Sequence, residues 1–221
     1  MTPGFLISGT GYRVGKTMAG CAIAFAFKVR GMRVGVMKPV QTGCVEREGR
    51  LVGGDAEALL AAASSDLSPE LACLYRYRSA MAPAAAAEAE NAPLPDWERI
   101  GRVFREMAQR SDIMLVEDAE GLAAPLDWQR NYADLALEFD LSVILIVANR
   151  PGFINATSLA LDYAARRKIR VAGFIVNALD SEASASVSRD AGFLSRATGA
   201  TCLGTVRFKE PLALSIVERL L

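Results

Sequence analysis

One segment near the start of the chain limits the possible folds more than any other. Residues 5–17 read Phe-Leu-Ile-Ser-Gly-Thr-Gly-Tyr-Arg-Val-Gly-Lys-Thr, an apolar run that leads through a glycine-containing loop into a helical pattern. Glycines let several backbone N–H groups point at one anion, and the N-terminus of the following helix also attracts negative charge. Lys16 adds a positive charge, and the hydroxyl of Thr17 can hold Mg²⁺. The segment therefore predicts a strand, a phosphate-binding loop and a helix.

The spacing of this loop differs from the usual pattern, and two other interpretations are open. Five residues separate Gly9 from Gly15, whereas the usual phosphate loop has about four. A dinucleotide-binding loop would need a third glycine at Val14, and an ordinary glycine turn would leave the lysine on the surface. The Gly-Lys-Thr ending favours the triphosphate loop. The expected nucleotide-binding residues are Thr10, Gly11, Tyr12, Arg13, Val14, Gly15, Lys16 and Thr17.

The amino-acid composition limits the kinds of binding partner and chemistry that this chain can have. The 221 residues are 52% hydrophobic, which suits one domain over residues 1–221. Lysine plus arginine equals aspartate plus glutamate at 25 each, so we expect a small-molecule partner rather than nucleic acid or a membrane. The four cysteines are scattered and no signal peptide is visible, which predicts free thiols and a reducing, cytoplasmic location. Histidine is absent, so the chemistry must use lysines, carboxylates, hydroxyls and a metal held by oxygen atoms.

Apolar runs alternate with helical patterns along the rest of the chain. Further buried strands are predicted at 34–40, 112–117, 141–148, 171–177 and 202–206, residues 44–54 as a loop, and helices at 186–197 and 211–221. This alternation predicts an α/β fold with a mostly parallel central sheet flanked by helices. Together with the phosphate loop, it indicates the three-layer P-loop NTPase architecture.

Polar residues cluster where these strands end. Lys38 and Thr42 follow one strand and Glu117 ends another, while Asp55 opens a helix. Ligands of open parallel sheets bind at the carboxyl ends of the strands, so we expect these groups to meet beside the phosphate loop, where carboxylates can face Mg²⁺. Simpler interpretations stay open at this point: a solvated lysine, a helix cap at Asp55 and an acidic turn at 117–120.

The ordered set of motifs resembles the dethiobiotin synthetase family along almost the whole chain. It comprises the loop with its five-residue interval, Lys38-Pro39-Val40-Gln41-Thr42-Gly43, Asp55-Ala56, Ala82-Pro83, Val116-Glu117, Pro151-Gly152-Phe153-Ile154-Asn155 and Val176-Asn177. These enzymes use ATP and CO₂ to close a cyclic urea on 7,8-diaminopelargonate, which they first carbamylate.

The resemblance also implies roles for individual residues. Lys16, Lys38 and Thr42 would be catalytic, and Thr17, Asp55 and Glu117 would hold Mg²⁺. Asn177 would contact adenine, and the segment 206–211 would close over the base. The diamine would bind Lys38, Thr42, Asp118, Glu120, Gly152, Ile154 and Asn155, the last three across the interface of a homodimer.

The chain departs from the family in two charged places. Arg13 stands where relatives carry an acid, and Asp118-Ala119-Glu120-Gly121 replaces a Gly-Ala-Gly-Gly run. We expect a compensated charge swap, in which Arg13 pairs with Glu120 or Asp118. Two other functions stay open: a related ligase with another amine or carboxylate substrate, such as the amide-forming synthetases of corrinoid synthesis, and a nucleotide-switched ATPase dimer.

Overall fold

The computed structural model describes residues 2–220. In chain order its elements are β1 (Gly4–Gly9), α1 (Lys16–Val29), β2 (Val34–Met37), β3 (Val40–Gln41), β4 (Val45–Arg47), β5 (Arg50–Val52), α2 (Gly54–Ala63), α3 (Pro69–Ala72), β6 (Tyr75–Arg76), α4 (Pro83–Ala89), α5 (Trp97–Ala108), β7 (Ile113–Glu117), α6 (Tyr132–Glu138), β8 (Ser142–Ala148), α7 (Phe153–Arg166), β9 (Val171–Asn177), α8 (Ser181–Thr198), β10 (Cys202–Val206) and a 3₁₀ helix (Leu214–Arg219).

A six-stranded sheet lies at the centre, in the order β10-β9-β8-β1-β7-β2, and every pairing in it is parallel. All six strands therefore end at the same edge. β1 is flanked by β8 and β7, so the loop after β1 emerges from the middle of that edge. The predicted three-layer α/β fold with a mostly parallel sheet is confirmed.

Side chains that alternate along the strands build a core on each face of the sheet. Ile7 of β1 packs with the cluster that includes α1 and α2, while its neighbour Leu6 packs with α5 and α6. Both side chains are fully buried. Because successive strand residues point to opposite faces, this buried β1 strand must be apolar at every position, as its sequence is.

Some boundaries differ from the sequence predictions, and local chemistry explains them. The strand predicted at 34–40 is split, because Pro39 cannot donate to the ladder; β3 then pairs with β6 in a separate two-stranded sheet. The loop predicted at 44–54 contains the β4–β5 hairpin, which turns at Glu48 and Gly49, both with positive φ.

The two last predicted helices also differ from the structure. α8 begins at Ser181 rather than 186, because Asp180 caps it by accepting a hydrogen bond from the backbone N–H of Ala183. The helix predicted at 211–221 is a 3₁₀ helix over Leu214–Arg219, and position 221 lies outside the described residues. No helix within residues 2–220 has the length and apolar character needed to cross a membrane.

Candidate active site

A cavity of about 350 Å³ opens at the carboxyl edge of the sheet. It lies where the loop after β1 meets the segments that follow β2 and β7. The residues that line it are Tyr12, Arg13, Val14, Gly15, Lys16, Thr17, Met18, Lys38, Gln41, Thr42, Gly43, Asp55, Glu117 and Ala119. The structure thus brings together most of the residues that the sequence singled out. Gln41 was missed; its side-chain oxygen accepts the backbone N–H of Asp55 and fixes the start of α2.

The phosphate loop is held in place from behind by Asn177, at the end of β9. Its side-chain amide donates a hydrogen bond of 2.9 Å to the carbonyl oxygen of Val14. The next residue, Gly15, has φ +97°, and a Cβ atom there would lie 2.2 Å from the Asn177 amide nitrogen. A side chain at position 15 therefore fails on two counts, backbone conformation and space. This close contact explains the glycine before Lys16.

Lys16 begins α1 and turns back into the loop. Its Nζ atom donates to the carbonyl oxygen of Gly11 at 3.1 Å and lies 3.6 Å from Oδ1 of Asp118. Only 5% of the Lys16 side chain is exposed. The ammonium is thus confined to the centre of the loop, among backbone N–H groups at the N-terminus of α1, where a phosphate group would be attracted.

Lys38, Asp55 and Glu117 form a second charged cluster in the cavity. The Nζ atom of Lys38 contacts a carboxylate oxygen of Asp55 and lies 2.7 Å from Oε1 of Glu117. The hydroxyl of Thr17 donates to the same Glu117 oxygen at 2.7 Å. Burial alone would lower the pKa of Lys38, but the two carboxylates raise it above its usual value, so the lysine stays charged.

This second cluster fits a bound Mg²⁺. Two carboxylates contact one cation, the ammonium of Lys38, and the Thr17 hydroxyl donates to one of these carboxylates. In addition, Oε2 of Glu117 is buried without a hydrogen-bond partner within residues 2–220. Hard oxygen ligands of this kind suit magnesium. Within the same residues no group of three His, Cys, Asp or Glu side chains could hold a metal, so Thr17 and phosphate oxygens would have to complete the ligand set. Asp55 is the second residue of α2 and Gly53 is its N-cap, so the cap interpretation is wrong.

The predicted pairing of Arg13 with Asp118 or Glu120 is wrong. Asp118 is fully buried beneath the loop and pairs with Lys16. Burial raises the pKa of Asp118 to about 6, against the opposing attraction of Lys16. Arg13 is exposed and lies over the Tyr12 ring, 5.2 Å from its centroid. It forms no ion pair within the described chain.

Most of the remaining predicted residues line two other cavities. One, of about 470 Å³, runs from Gly9, Thr10 and Gly11 past Glu120 to one side of α7. The other, of about 500 Å³, includes Gly152 and Ile154 at the start of α7. Asn155 is exposed beside them and lines neither. Within one chain, therefore, the residues of α7 do not meet the phosphate cavity.

The parallel sheet, the loop after β1 and the lysine that begins α1 define a P-loop nucleoside triphosphatase. Two solved structures share this fold. The ParA family ATPase of Chlorobium tepidum TLS matches with a TM-score of 0.54 and 13% identity, over 93% of this chain and 84% of its own. The MinC:MinD cell division protein complex of Aquifex aeolicus matches with a TM-score of 0.56 and 14% identity, over 98% of this chain and 84% of that one.

Sequence comparison identifies the family. A family model described as an AAA domain matches residues 3–214. Two ATP-dependent dethiobiotin synthetases BioD, from Anaeromyxobacter dehalogenans strains 2CP-C and 2CP-1, are each 34% identical over 211 residues, which is 96% of this chain and 88% of theirs. The chain belongs to the dethiobiotin synthetase family of P-loop NTPases, and the resemblance drawn from its motifs is confirmed.

Proposed function

We propose that this protein is a dethiobiotin synthase, which uses ATP and CO₂ to close a cyclic urea on 7,8-diaminopelargonate. The observation that best supports this is the meeting of two lysines, two carboxylates and a threonine hydroxyl in one cavity. Phosphoryl transfer is promoted mainly by positioning and by charge neutralisation, and these groups supply both without a histidine. The reaction itself comes from the names of the relatives.

Lys16 and the loop N–H groups would bind the phosphates of ATP. The Asn177 amide nitrogen already donates to Val14, and this is the hydrogen bond that its side chain forms within residues 2–220. The side-chain oxygen would accept from the amino group of adenine, and the segment 206–211, which follows the neighbouring strand β10, would close over the base. Asn177 would then contact the phosphate loop and the base together.

Lys38 and Thr42 would act on the substrate carbamate. One amine of the diamine adds to CO₂ with loss of a proton, and the carbamate oxygen then attacks the γ-phosphate and releases ADP. The second amine attacks the carbamate carbon, loses its proton and expels phosphate, which closes the ring. Lys38 would offset the negative charge of the carbamate, and the Thr42 hydroxyl would donate a hydrogen bond to the carbamate or the phosphate.

Thr17, Asp55 and Glu117 would hold Mg²⁺, which would neutralise charge on the β- and γ-phosphates. In the structure Lys38 lies between the same two carboxylates. Lys38 would thus hold Asp55 and Glu117 together, and the metal would have to displace it from them. The role of the chain here is to gather these oxygen atoms in a partly buried place, where their charges are poorly screened.

The diamine chain would bind in the cavity of about 470 Å³ beside the loop. Its walls include the apolar residues Leu122, Ala123, Ala124 and Leu159, which suit an aliphatic chain. Glu120 is a carboxylate in the same wall, where it could attract an ammonium group. Asp118 lies beneath the loop instead, which leaves Glu120 as the better candidate for contact with the substrate.

A homodimer would complete this substrate site. α7 buries only Thr157 and Ala164 fully, and Leu159 on it is 62% exposed. A second copy of the chain would cover this face, and Gly152, Ile154 and Asn155 of the partner subunit would reach the carboxylate end of the substrate. Such an arrangement accounts for why these residues are remote from the phosphate cavity of their own chain.

The test is ADP release with Mg·ATP and bicarbonate, measured with and without 7,8-diaminopelargonate. We expect release to depend on the diamine and to disappear in Lys16→Ala, and mass spectrometry should detect dethiobiotin. Steady release without the diamine would favour a nucleotide-switched ATPase. ATP binding without stimulation by the diamine would instead favour a related ligase with another amine or carboxylate substrate.

A further inference from the structure

Asp118 occupies an unusual position beneath the phosphate loop. Its backbone N–H donates to the carbonyl oxygen of Ile7 at 3.1 Å, so its place beside β1 is fixed by the sheet. The carboxylate is fully buried. The hydroxyl of Ser8 lies close enough to lower its pKa, but neither carboxylate oxygen has a partner at good hydrogen-bond geometry within residues 2–220. Its one ion pair there is with Lys16. A buried carboxylate with so few partners is costly, so this pair is the main feature that offsets its charge.

Lys16 is therefore held by two oxygen atoms of the protein itself. The carbonyl of Gly11 accepts from the ammonium at 3.1 Å, and Oδ1 of Asp118 lies 3.6 Å away. A phosphate group that enters the loop must draw the same ammonium toward itself. The negative charge of Asp118 opposes phosphate binding in two ways: it attracts the Lys16 ammonium away from the phosphate, and it repels the phosphate itself.

We propose that Asp118 is a positioning residue that acts through Lys16: it holds the ammonium within the loop and competes with nucleotide phosphates for it. The proposal rests on the proposed function only in that the loop binds a nucleotide. Removing the charge of Asp118 frees Lys16, so nucleotide affinity rises. A tenfold gain requires about a third of the attraction between two unit charges at 3.6 Å in a medium with an effective dielectric constant of about 20.

The test is equilibrium binding of ADP by titration calorimetry, without Mg²⁺ and without diamine. At pH 8 the carboxylate of Asp118, which forms an ion pair with Lys16, is charged. We expect Asp118→Asn to bind ADP about tenfold more tightly than the wild-type protein. Asp118→Gly serves as a second variant, since either substitution removes the charge. Glu57→Gln is the matched control: it removes an exposed carboxylate of α2 that forms no ion pair within residues 2–220, so ADP affinity should stay the same.

Two results would overturn the proposal. One is equal or weaker ADP binding by both Asp118 variants. The other is an equal gain in Glu57→Gln, which would indicate a general effect of negative charge. A merely structural role for Asp118 predicts weaker binding after substitution, so tighter binding separates the two. The ADP-binding assay contains no diamine, so its result does not depend on the synthase proposal. That proposal fails in a different assay, if the diamine does not stimulate ADP release.

Discussion

Replacing Gly15 by alanine tests whether contact with Asn177 shapes the phosphate loop. A Cβ at this position would lie 2.2 Å from the Asn177 amide nitrogen, far inside van der Waals contact, and the residue has φ +97°. Gly31, after α1, offers a matched control, because its φ is +80° and a Cβ there would meet nothing within 4 Å. Both variants bear the backbone penalty, and only one bears the clash.

The expected costs follow from these two contributions. The positive φ costs an alanine about 1 to 2 kcal/mol at either position. At Gly15 the Asn177 side chain must also move away, which breaks its buried hydrogen bond to the Val14 carbonyl and costs about 1 to 3 kcal/mol more. We therefore expect Gly15→Ala to lose about 2 to 5 kcal/mol of unfolding free energy, and Gly31→Ala about 1 to 2 kcal/mol.

Urea unfolding of both variants measures this difference, and ADP binding measures the effect on the loop. In an Asn177→Ala background the obstacle is absent, so the cost of Gly15→Ala should fall by about 1 kcal/mol or more. Equal losses in Gly15→Ala and Gly31→Ala would refute the reasoning. So would an unchanged cost of Gly15→Ala in the absence of the Asn177 side chain.

Three further predictions concern the metal site, the α7 face and the thiols. Lys38→Met leaves Asp55 and Glu117 without their shared cation, so we expect this variant to bind Mn²⁺ about tenfold more tightly in the absence of nucleotide. The free Mn²⁺ signal in electron paramagnetic resonance measures this affinity, and Lys28→Met, at an exposed lysine, is the control. Weaker Mn²⁺ binding by Lys38→Met would contradict the argument. Leu159→Glu should convert a dimer to a monomer in light scattering while the far-UV circular dichroism stays the same, and a monomeric wild-type protein would contradict the proposed interface. Burial raises the pKa of the Cys21 and Cys73 thiols to about 11, and Glu117 and Asp55 contribute further at Cys21. Both thiols should therefore react slowly with Ellman's reagent at pH 8 until urea unfolds the chain. Fast labelling of both thiols in the native protein would contradict this prediction.

The residues that could be predicted from the sequence are those that parallel-sheet topology brings together. A buried apolar run fixes a strand, and parallel strands place all their carboxyl ends at one edge. Lys16, Lys38 and Glu117 follow or end three different strands, so their meeting required no knowledge of loop conformations. Asp55 was also expected in the site, although it begins a helix, and the structure shows its carboxylate on Lys38.

The residues that could not be predicted depend on direction within a strand or on long-range contacts. Glu117 and Asp118 are adjacent, but successive side chains point to opposite faces of the sheet. Glu117 therefore lies on the α1 face with Ile113 and Leu115, and Asp118 lies on the other face. There burial raises the pKa of Tyr132, and the charge of Asp118 raises it further. The prediction that Arg13 pairs with Asp118 or Glu120 assumed that all the carboxylates of residues 117–120 are exposed on one side. Nor does local sequence show that Asn177 holds a loop 163 residues earlier in the chain.

The charges around the loop balance even though Arg13 does not touch Asp118. Arg13, Lys16 and Lys38 contribute three positive charges, and Asp55, Glu117 and Asp118 contribute three negative ones. Lys16 and Lys38 are engaged by carboxylates of the protein, which reduces their attraction for an arriving nucleotide. Arg13 is the cation of this group that has no carboxylate partner within residues 2–220. The balance therefore holds for the site as a whole and does not depend on a direct ion pair of Arg13. We therefore expect the initial attraction of phosphate to depend on Arg13 and on the N–H groups at the start of α1, and Lys16 and Lys38 to act once phosphates and a metal displace their internal partners.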